Sequence, residues 1–164
     1  MSATAIPAAA FDEQRILAIV ERHRHQDGPL IEILHDVQAE FGCVPQGAVA
    51  TLARALNLSR AEVYGVVTFY HHFRTKPPGR RVLQICRAES CQAAGGRALE
   101  KHAVARLGVG FGGTTPDGRM TLEAVYCLGL CACSPAAMLD GEVHGRLTKE
   151  RLDALLDADA AVKA

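Results

Sequence analysis

Two short stretches decide how this chain is read: Cys-Arg-Ala-Glu-Ser-Cys at residues 86–91 and Cys-Leu-Gly-Leu-Cys at residues 127–131. Each carries two thiols, with four residues between the first pair and three between the second. A thioredoxin-type redox dithiol has two intervening residues, so that chemistry is disfavoured. A gap of three or four suits a chelate, because two sulfurs can reach one metal ion while amides of the turn point at the negative sulfurs. Iron and zinc both accept such a loop. The wider first gap is similar to one arm of plant-type iron-sulfur spacing, which favours a [2Fe-2S] cluster and leaves a zinc site open.

The chain has six cysteines, so two remain. Cys43, in the apolar stretch FGCVP, reads as a small buried hydrophobe. Cys133 stands two residues after Cys131 and is the alternative fourth ligand; Cys131 is preferred because it closes the tighter loop. In a reducing compartment these thiols read as ligands and buried side chains, not as a disulfide framework.

At 164 residues and 49% hydrophobic content, the chain can build one core with a helical appendage. Eighteen basic residues balance eighteen acidic ones with no long run of either sign, which argues against nucleic acid or an anionic membrane as partner. The N-terminus lacks the basic start and apolar stretch of a signal peptide, and no apolar run approaches the roughly 20 residues of a membrane span. A cytoplasmic protein without membrane insertion is expected.

Residues 1–10 read as a flexible tail. Phe11, Ile16, Leu17, Ile19 and Val20 share a helical stripe, predicting a helix over 11–26 that Gly28-Pro29 ends. A second helix is predicted over 30–41, stopped by Gly42, and a third from Pro45 to Leu56. Ser59 and Glu62 form the S-x-x-E capping box of a fourth. The aromatic run YGVVTFYHHF at 64–73 reads chiefly as internal core, and His71-His72 as an exposed pair at the helix end.

This bundle, 11–73, gives way at FRTKPPGRR to a linker over 74–81 and a second domain over 82–164. There a strand is predicted to deliver Cys86, a helix to run from Ala93 to Leu107, and a Gly-rich hairpin-like connection to follow. A second strand delivers Cys127, a hairpin turns at Asp140-Gly141, and a last helix closes the domain. The β-α-β-β-β-α order suits a small mixed sheet with helices against it, for which a thioredoxin-like fold is one solution. Pro135 is where that fold can hold a cis bond, with trans as the default.

HDVQAEFGCVP, LNLSRAEVYGVVTFYHHFRTKPPG, the strand into Cys86 and TTPDGRMTLEAVYCLGLC with the following Pro135 resemble, in that order, the thioredoxin-like [2Fe-2S] ferredoxin subunits of NADH:quinone oxidoreductase and related NAD-linked enzymes. The resemblance implies an α+β chain, an N-terminal helical bundle followed by a thioredoxin-like [2Fe-2S] ferredoxin domain. It implies four cluster ligands, Cys86 and Cys91 on one iron and Cys127 and Cys131 on the other. It further implies a partner subunit that carries FMN and binds NAD, docked through the helical bundle.

CRAESCQAAGG and CLGLCACSPAAM look most similar to the gamma subunit of cytoplasmic NAD-dependent formate dehydrogenase, which implies a molybdenum and iron-sulfur catalytic subunit beyond the flavin subunit. Membrane-complex relatives more often carry a small residue at the position of Leu130. The equivalent subunits of NADH:quinone oxidoreductase or an NAD-linked hydrogenase are the alternative. A zinc-stabilised interaction module and a thiol-disulfide enzyme are the readings from other classes. No dinucleotide G-x-G-x-x-G follows a strand, so an electron-transfer subunit without a catalytic residue of its own is expected.

Overall fold

The computed structural model describes residues 11–158 and divides into two compact units between Pro78 and Gly79. The tail expected over 1–10 lies outside the described residues. The first unit holds four helices: α1 (Glu13–Arg22), α2 (Leu30–Phe41), α3 (Gln46–Leu56) and α4 (Arg60–Phe69). Helix α1 starts where Asp12 accepts from the amides of Gln14 and Arg15 and ends at Arg22, short of the predicted 26. His23 to Gln26 instead form turns that return to Val20, Glu21 and His23, because RHRHQD offers no apolar face to hold another helical turn. The capping box of α4 is present in both directions, Ser59 Oγ accepting from Glu62 N and Ser59 N donating to Glu62.

The core of this unit is Ile16, Ile19, Ile33, Leu34, Val37, Phe41, Leu52, Val63 and Val67, with Phe73 at its margin. The structure departs from expectation at two places here. Phe11 and Leu17, both placed on the helical stripe of α1, are 45% and 44% exposed, and Phe11 precedes the helix. The aromatic run is not mainly core: Tyr64, Phe69 and Tyr70 are 59%, 73% and 43% exposed, and of its rings only Phe73 is buried. Val63 and Val67, four apart, own the inward face of α4, and the period of the helix turns Tyr64 and Phe69 away from it. His71 and His72 are exposed, with the His72 ring 5.0 Å from that of His35.

A buried glutamine fastens the end of this unit. Gln38 donates to His72 O at 2.8 Å and accepts from Arg74 N at 2.6 Å, a side-chain amide filling the place of a peptide group. Val44 N adds a bond to Arg74 O at 2.7 Å.

The second unit is a four-stranded sheet in the order β2-β1-β3-β4, from β1 (Arg81–Cys86), β2 (Met120–Val125), β3 (Ala137–Leu139) and β4 (Glu142–His144). β1 and β2 run parallel, Cys86 opposite Val125, while β3 is antiparallel to β1 and β4 to β3. A parallel pair needs a long crossover. Here it contains α5 (Glu89–Ala93), α6 (Gly96–Leu107) and the Gly-rich segment, folded as the expected hairpin-like connection with Thr115 N bonded to Met120 O at 2.8 Å. The helix predicted from Ala93 begins three residues later, as α6, after Gly95 with φ +94°, and the short α5 before it is an element the sequence did not announce. Leu83, Ile85, Met120, Leu122, Ala137 and Leu139 from the sheet pack with Leu99 and Ala103 of α6 and Leu152 and Leu156 of α7 (Lys149–Ala158).

The start of β1 is fixed by Asp140, which pairs with the Arg81 guanidinium and accepts from Val82 N at 2.8 Å. Asp140 and Gly141 both hold positive φ, as a two-residue hairpin of type I′ requires. The Ser134-Pro135 bond is cis, not the default trans. The intrinsic preference against cis at proline is only about 0.5–1 kcal/mol, and here the flanking carbonyls are engaged, Pro135 O by Leu147 N and Ala136 O by Cys86 N, both at 3.0 Å. The α+β class holds.

Gln38→Ala leaves His72 O and Arg74 N without that partner and is expected to destabilise the chain by about 1–3 kcal/mol in urea unfolding; an unchanged midpoint would show that the clamp contributes nothing. His23 Nε2 lies 2.8 Å from Asp36 Oδ2, and that bond raises the histidine pKa above 6.5 and holds the carboxyl below 3.8. The raised histidine stabilises fully below pH 6.5 and loses its contribution as pH rises through its folded pKa. The depressed carboxyl stabilises above pH 3.8 and loses its contribution as pH falls through its own. The melting-temperature gap between wild type and His23→Gln should therefore be widest between pH 3.8 and 6.5 and close above that range.

Candidate metal centre

Parallel pairing carries β1 and β2 to the same end of the sheet, where Cys86 is the last residue of β1 and Cys127 lies two residues past the end of β2. Arg87 N donates to Val125 O at 2.8 Å and continues the pairing one step beyond Cys86. Cys91 does not sit in a simple loop, as the spacing suggested, but on the short helix α5. Cys131 opens a 3-10 turn that ends at Cys133.

Cys86 and Cys91 are buried, 3% and 2% exposed, against Ala136, with Ala88, Val125, Leu128 and Leu130 packed around them. Cys127 and Cys131 are exposed. The site therefore has a closed side made by the first pair and an open side made by the second. All six cysteines are free thiols, and Cys43 is buried, which pushes its pKa up.

The electrostatics of the thiols record that they face one another. Burial pushes the Cys86 thiol up, but the amides of Ala88, Leu128 and Cys127 and the Cys91 thiol all bond to its sulfur, and their sum leaves it below the usual thiol range. Those donors come from both cysteine loops. Cys131 moves the other way: its bond to Cys127 and the Cys127 charge dominate, with burial and the charges of Cys91 and Cys86 adding to them. Gly129 N donates to Cys127 Sγ at 3.4 Å, from a turn in which Gly129 has φ +74°. Four cysteine sulfurs, with amide donors on Cys86 and Cys127 and an apolar wall around Cys86 and Cys91, are a donor set suited to a cationic iron centre.

Among the described residues no three His, Cys, Asp or Glu side chains close on a single ion-sized point. A binuclear cluster asks for two thiolates at each iron. Cys133 is half-buried and tightly held, its carbonyl accepting from Arg146 N at 2.5 Å and its amide donating to Leu130 O at 2.8 Å.

Several residues outside the cysteines support the site, and of these the Gly95-Gly96 step is visible in the sequence as a point of close approach. A Cβ on Gly96 would lie 2.6 Å from Cys91 O, so α6 can begin against α5 only with glycine there. A Cβ on Gly145 would lie 2.7 Å from Cys133 Cβ. Ser134 Oγ stands 2.9 Å from Cys131 O, 2.9 Å from Ser90 Oγ and 3.5 Å from Cys91 Sγ, and Ser90 Oγ reaches Cys131 O at 3.1 Å. The one signal is adjacency, Ser90 before Cys91 and Ser134 before Pro135, but only the fold reveals that the two serines meet.

The family described as thioredoxin-like [2Fe-2S] ferredoxin matches residues 16–159. Among curated relatives, a NADH-quinone oxidoreductase subunit of Rhizobium meliloti (strain 1021) is 37% identical over 150 residues, 92% of this chain and 89% of that one. The HndA subunit of the NADP-reducing hydrogenase of Solidesulfovibrio fructosivorans is 29% identical over 143 residues, 87% of this chain and 84% of that one. Among solved structures, a chain of the NAD+-reducing [NiFe]-hydrogenase in the air-oxidized state aligns with TM-score 0.67 and 29% identity, over 83% of this chain and 23% of that one. The chain thus spans about a quarter of that hydrogenase chain and most of each curated relative. With a family match that takes in both units and the two cysteine loops, the chain belongs to the thioredoxin-like [2Fe-2S] ferredoxin family.

Proposed function

We propose that Cys86, Cys91, Cys127 and Cys131 hold one [2Fe-2S] cluster and that the chain is the component that passes electrons to and from an FMN-containing, NAD-binding partner. The observation that supports this most is the gathering of amide donors from both cysteine loops on Cys86, beside a Cys131 that feels the other three sulfurs. A [2Fe-2S] cluster, when bound, accepts and returns one electron at a time. The chain's own residues set the conditions for that exchange. The amides of Ala88, Cys127 and Leu128 hold the Cys86 thiol below its usual range, and Gly129 N donates to Cys127 Sγ. Leu128 and Leu130 exclude water from the closed side. The exposed Cys127 and Cys131 mark the side open to a partner.

Flavin and NAD chemistry belongs to the partner, and the exposed Tyr64, Phe69 and Tyr70 of the helical unit supply a docking surface for it. In the finer reading, the complex is a cytoplasmic NAD-dependent formate dehydrogenase with a molybdenum and iron-sulfur catalytic subunit. That reading rests on the resemblance of CRAESCQAAGG and CLGLCACSPAAM to its gamma subunit. The relatives in NADH-quinone oxidoreductase and hydrogenase support a place in one of those complexes at least as well. The proteins that co-purify with the chain decide between them.

Anaerobically purified chain is expected to be brown, with two irons and a [2Fe-2S] resonance after dithionite, and Cys91→Ser should lose or visibly shift that signal. Colourless protein with stoichiometric zinc would overturn the electron-transfer reading, and an unchanged signal in Cys91→Ser would overturn the ligand set. Phe69→Asp, on a residue 73% exposed, should cut recovery of the flavin subunit several-fold or more while iron content stays at the wild-type level. Full recovery would show that this surface is not the docking site.

A further inference from the structure

Ser90 and Ser134 come from different cysteine loops, one on the helix that carries Cys91 and one at the end of the turn that carries Cys131, just before the cis proline. Their hydroxyls lie 2.9 Å apart and have two acceptors between them, one of them shared. Cys131 O is within reach of both, at 2.9 Å from Ser134 and 3.1 Å from Ser90, whereas Cys91 Sγ, at 3.5 Å, is within reach of Ser134 alone. Each hydroxyl has one proton to give.

The count of protons differs between a free thiol and a ligand. As a thiol, Cys91 can donate its own proton to Ser134 Oγ, leaving the Ser134 proton for Cys131 O. A ligating Cys91 has lost that proton and is acceptor only. Ser134 then has a charged sulfur to donate to, and such a bond is stronger than one to a neutral carbonyl. Cys131 O is not left bare by the change, because Ser90 can donate to it in place of Ser134. The pair therefore exchanges acceptors without orphaning either.

We infer that Ser134 is a positioning residue of the metal centre, donating a hydrogen bond to the ligated Cys91 sulfur, and that Ser90 makes that bond available by covering Cys131 O. This rests on the ligand reading given above. The bond offsets negative charge on a sulfur ligand, so it favours the reduced, more negative cluster over the oxidised one. Removing it should lower the reduction potential without removing a ligand.

The test is redox titration of the purified full-length chain, followed by paramagnetic resonance, for wild type, Ser134→Ala, Ser134→Thr and Ser90→Ala. At a fixed applied potential the reduced-to-oxidised ratio of Ser134→Ala should fall about tenfold, equivalent to about 59 mV for one electron. Ser134→Thr, which keeps the hydroxyl, should return towards wild type, and Ser90→Ala should shift in the same direction as Ser134→Ala by less. An exchangeable deuteron coupled to the reduced cluster should be present in wild type and missing in Ser134→Ala.

Wild-type chain without two irons overturns the ligand reading and this inference with it. Wild-type chain with two irons and a Ser134→Ala potential equal to its own overturns the inference alone. Should Ser134→Ala fail to retain iron, Ser90→Ala and Ser134→Thr carry the decision: a lowered potential in the first with a near-native one in the second supports the bond, and no shift in Ser90→Ala overturns it.

Discussion

Gathering four thiolates in one place is opposed by their mutual repulsion and by the loss of water around them, and the second unit is arranged to meet both costs. Parallel pairing of β1 with β2 is what makes this possible, because it brings Cys86 and the approach to Cys127 to the same end of one sheet. An antiparallel pair would put the two ends apart. Once both loops share that end, the amides of each can serve sulfurs of the other, as Leu128 and Cys127 do for Cys86. The glycine at 96 then lets α6 start hard against the carbonyl of Cys91, which keeps α5 close to the site.

The same arrangement explains why the two cysteine pairs differ in character. Cys86 is held by a central strand, paired on both sides, and is buried with Cys91. Cys127 has positive φ and sits beyond the last pairing of β2, so it lies on the surface with Cys131. A centre built this way is stiff on one side and accessible on the other, which suits a carrier that must be insulated from water yet met by a partner.

Much of this is legible in the chain itself because the signals are local. Gly42 ends α2 with φ +77°, Ser59 and Glu62 cap α4, and Asp140-Gly141 turns the hairpin, each through residues that do one conformational job. The cysteine spacings nominate Cys86, Cys91, Cys127 and Cys131 for a similar reason, and parallel pairing carries both loops to one end of the sheet. What escapes is set by tertiary placement. Five residues are too few for α5 to show a helical period, so Cys91 reads as part of a loop. Hydrophobicity alone assigns the aromatics of α4 to the core, but Val63 and Val67 already claim the inward face. The meeting of Ser90 with Ser134 spans 44 residues and no pattern in the sequence announces it.

Asp140 closes a circuit of a different kind. It accepts from Val82 N across 58 residues, so the start of the first strand of the second unit gains this partner only from the turn of the hairpin that follows both cysteine loops. The helical unit has its buried glutamine clamp complete by Arg74 and relies on contacts between neighbouring helices. During synthesis the N-terminal half can thus settle as it leaves the ribosome, while the sheet must wait for Asp140 to emerge before its central strand has all its partners. Every cysteine of the candidate site precedes that residue, so all four thiols leave the ribosome before the strand that ends in Cys86 has all its partners.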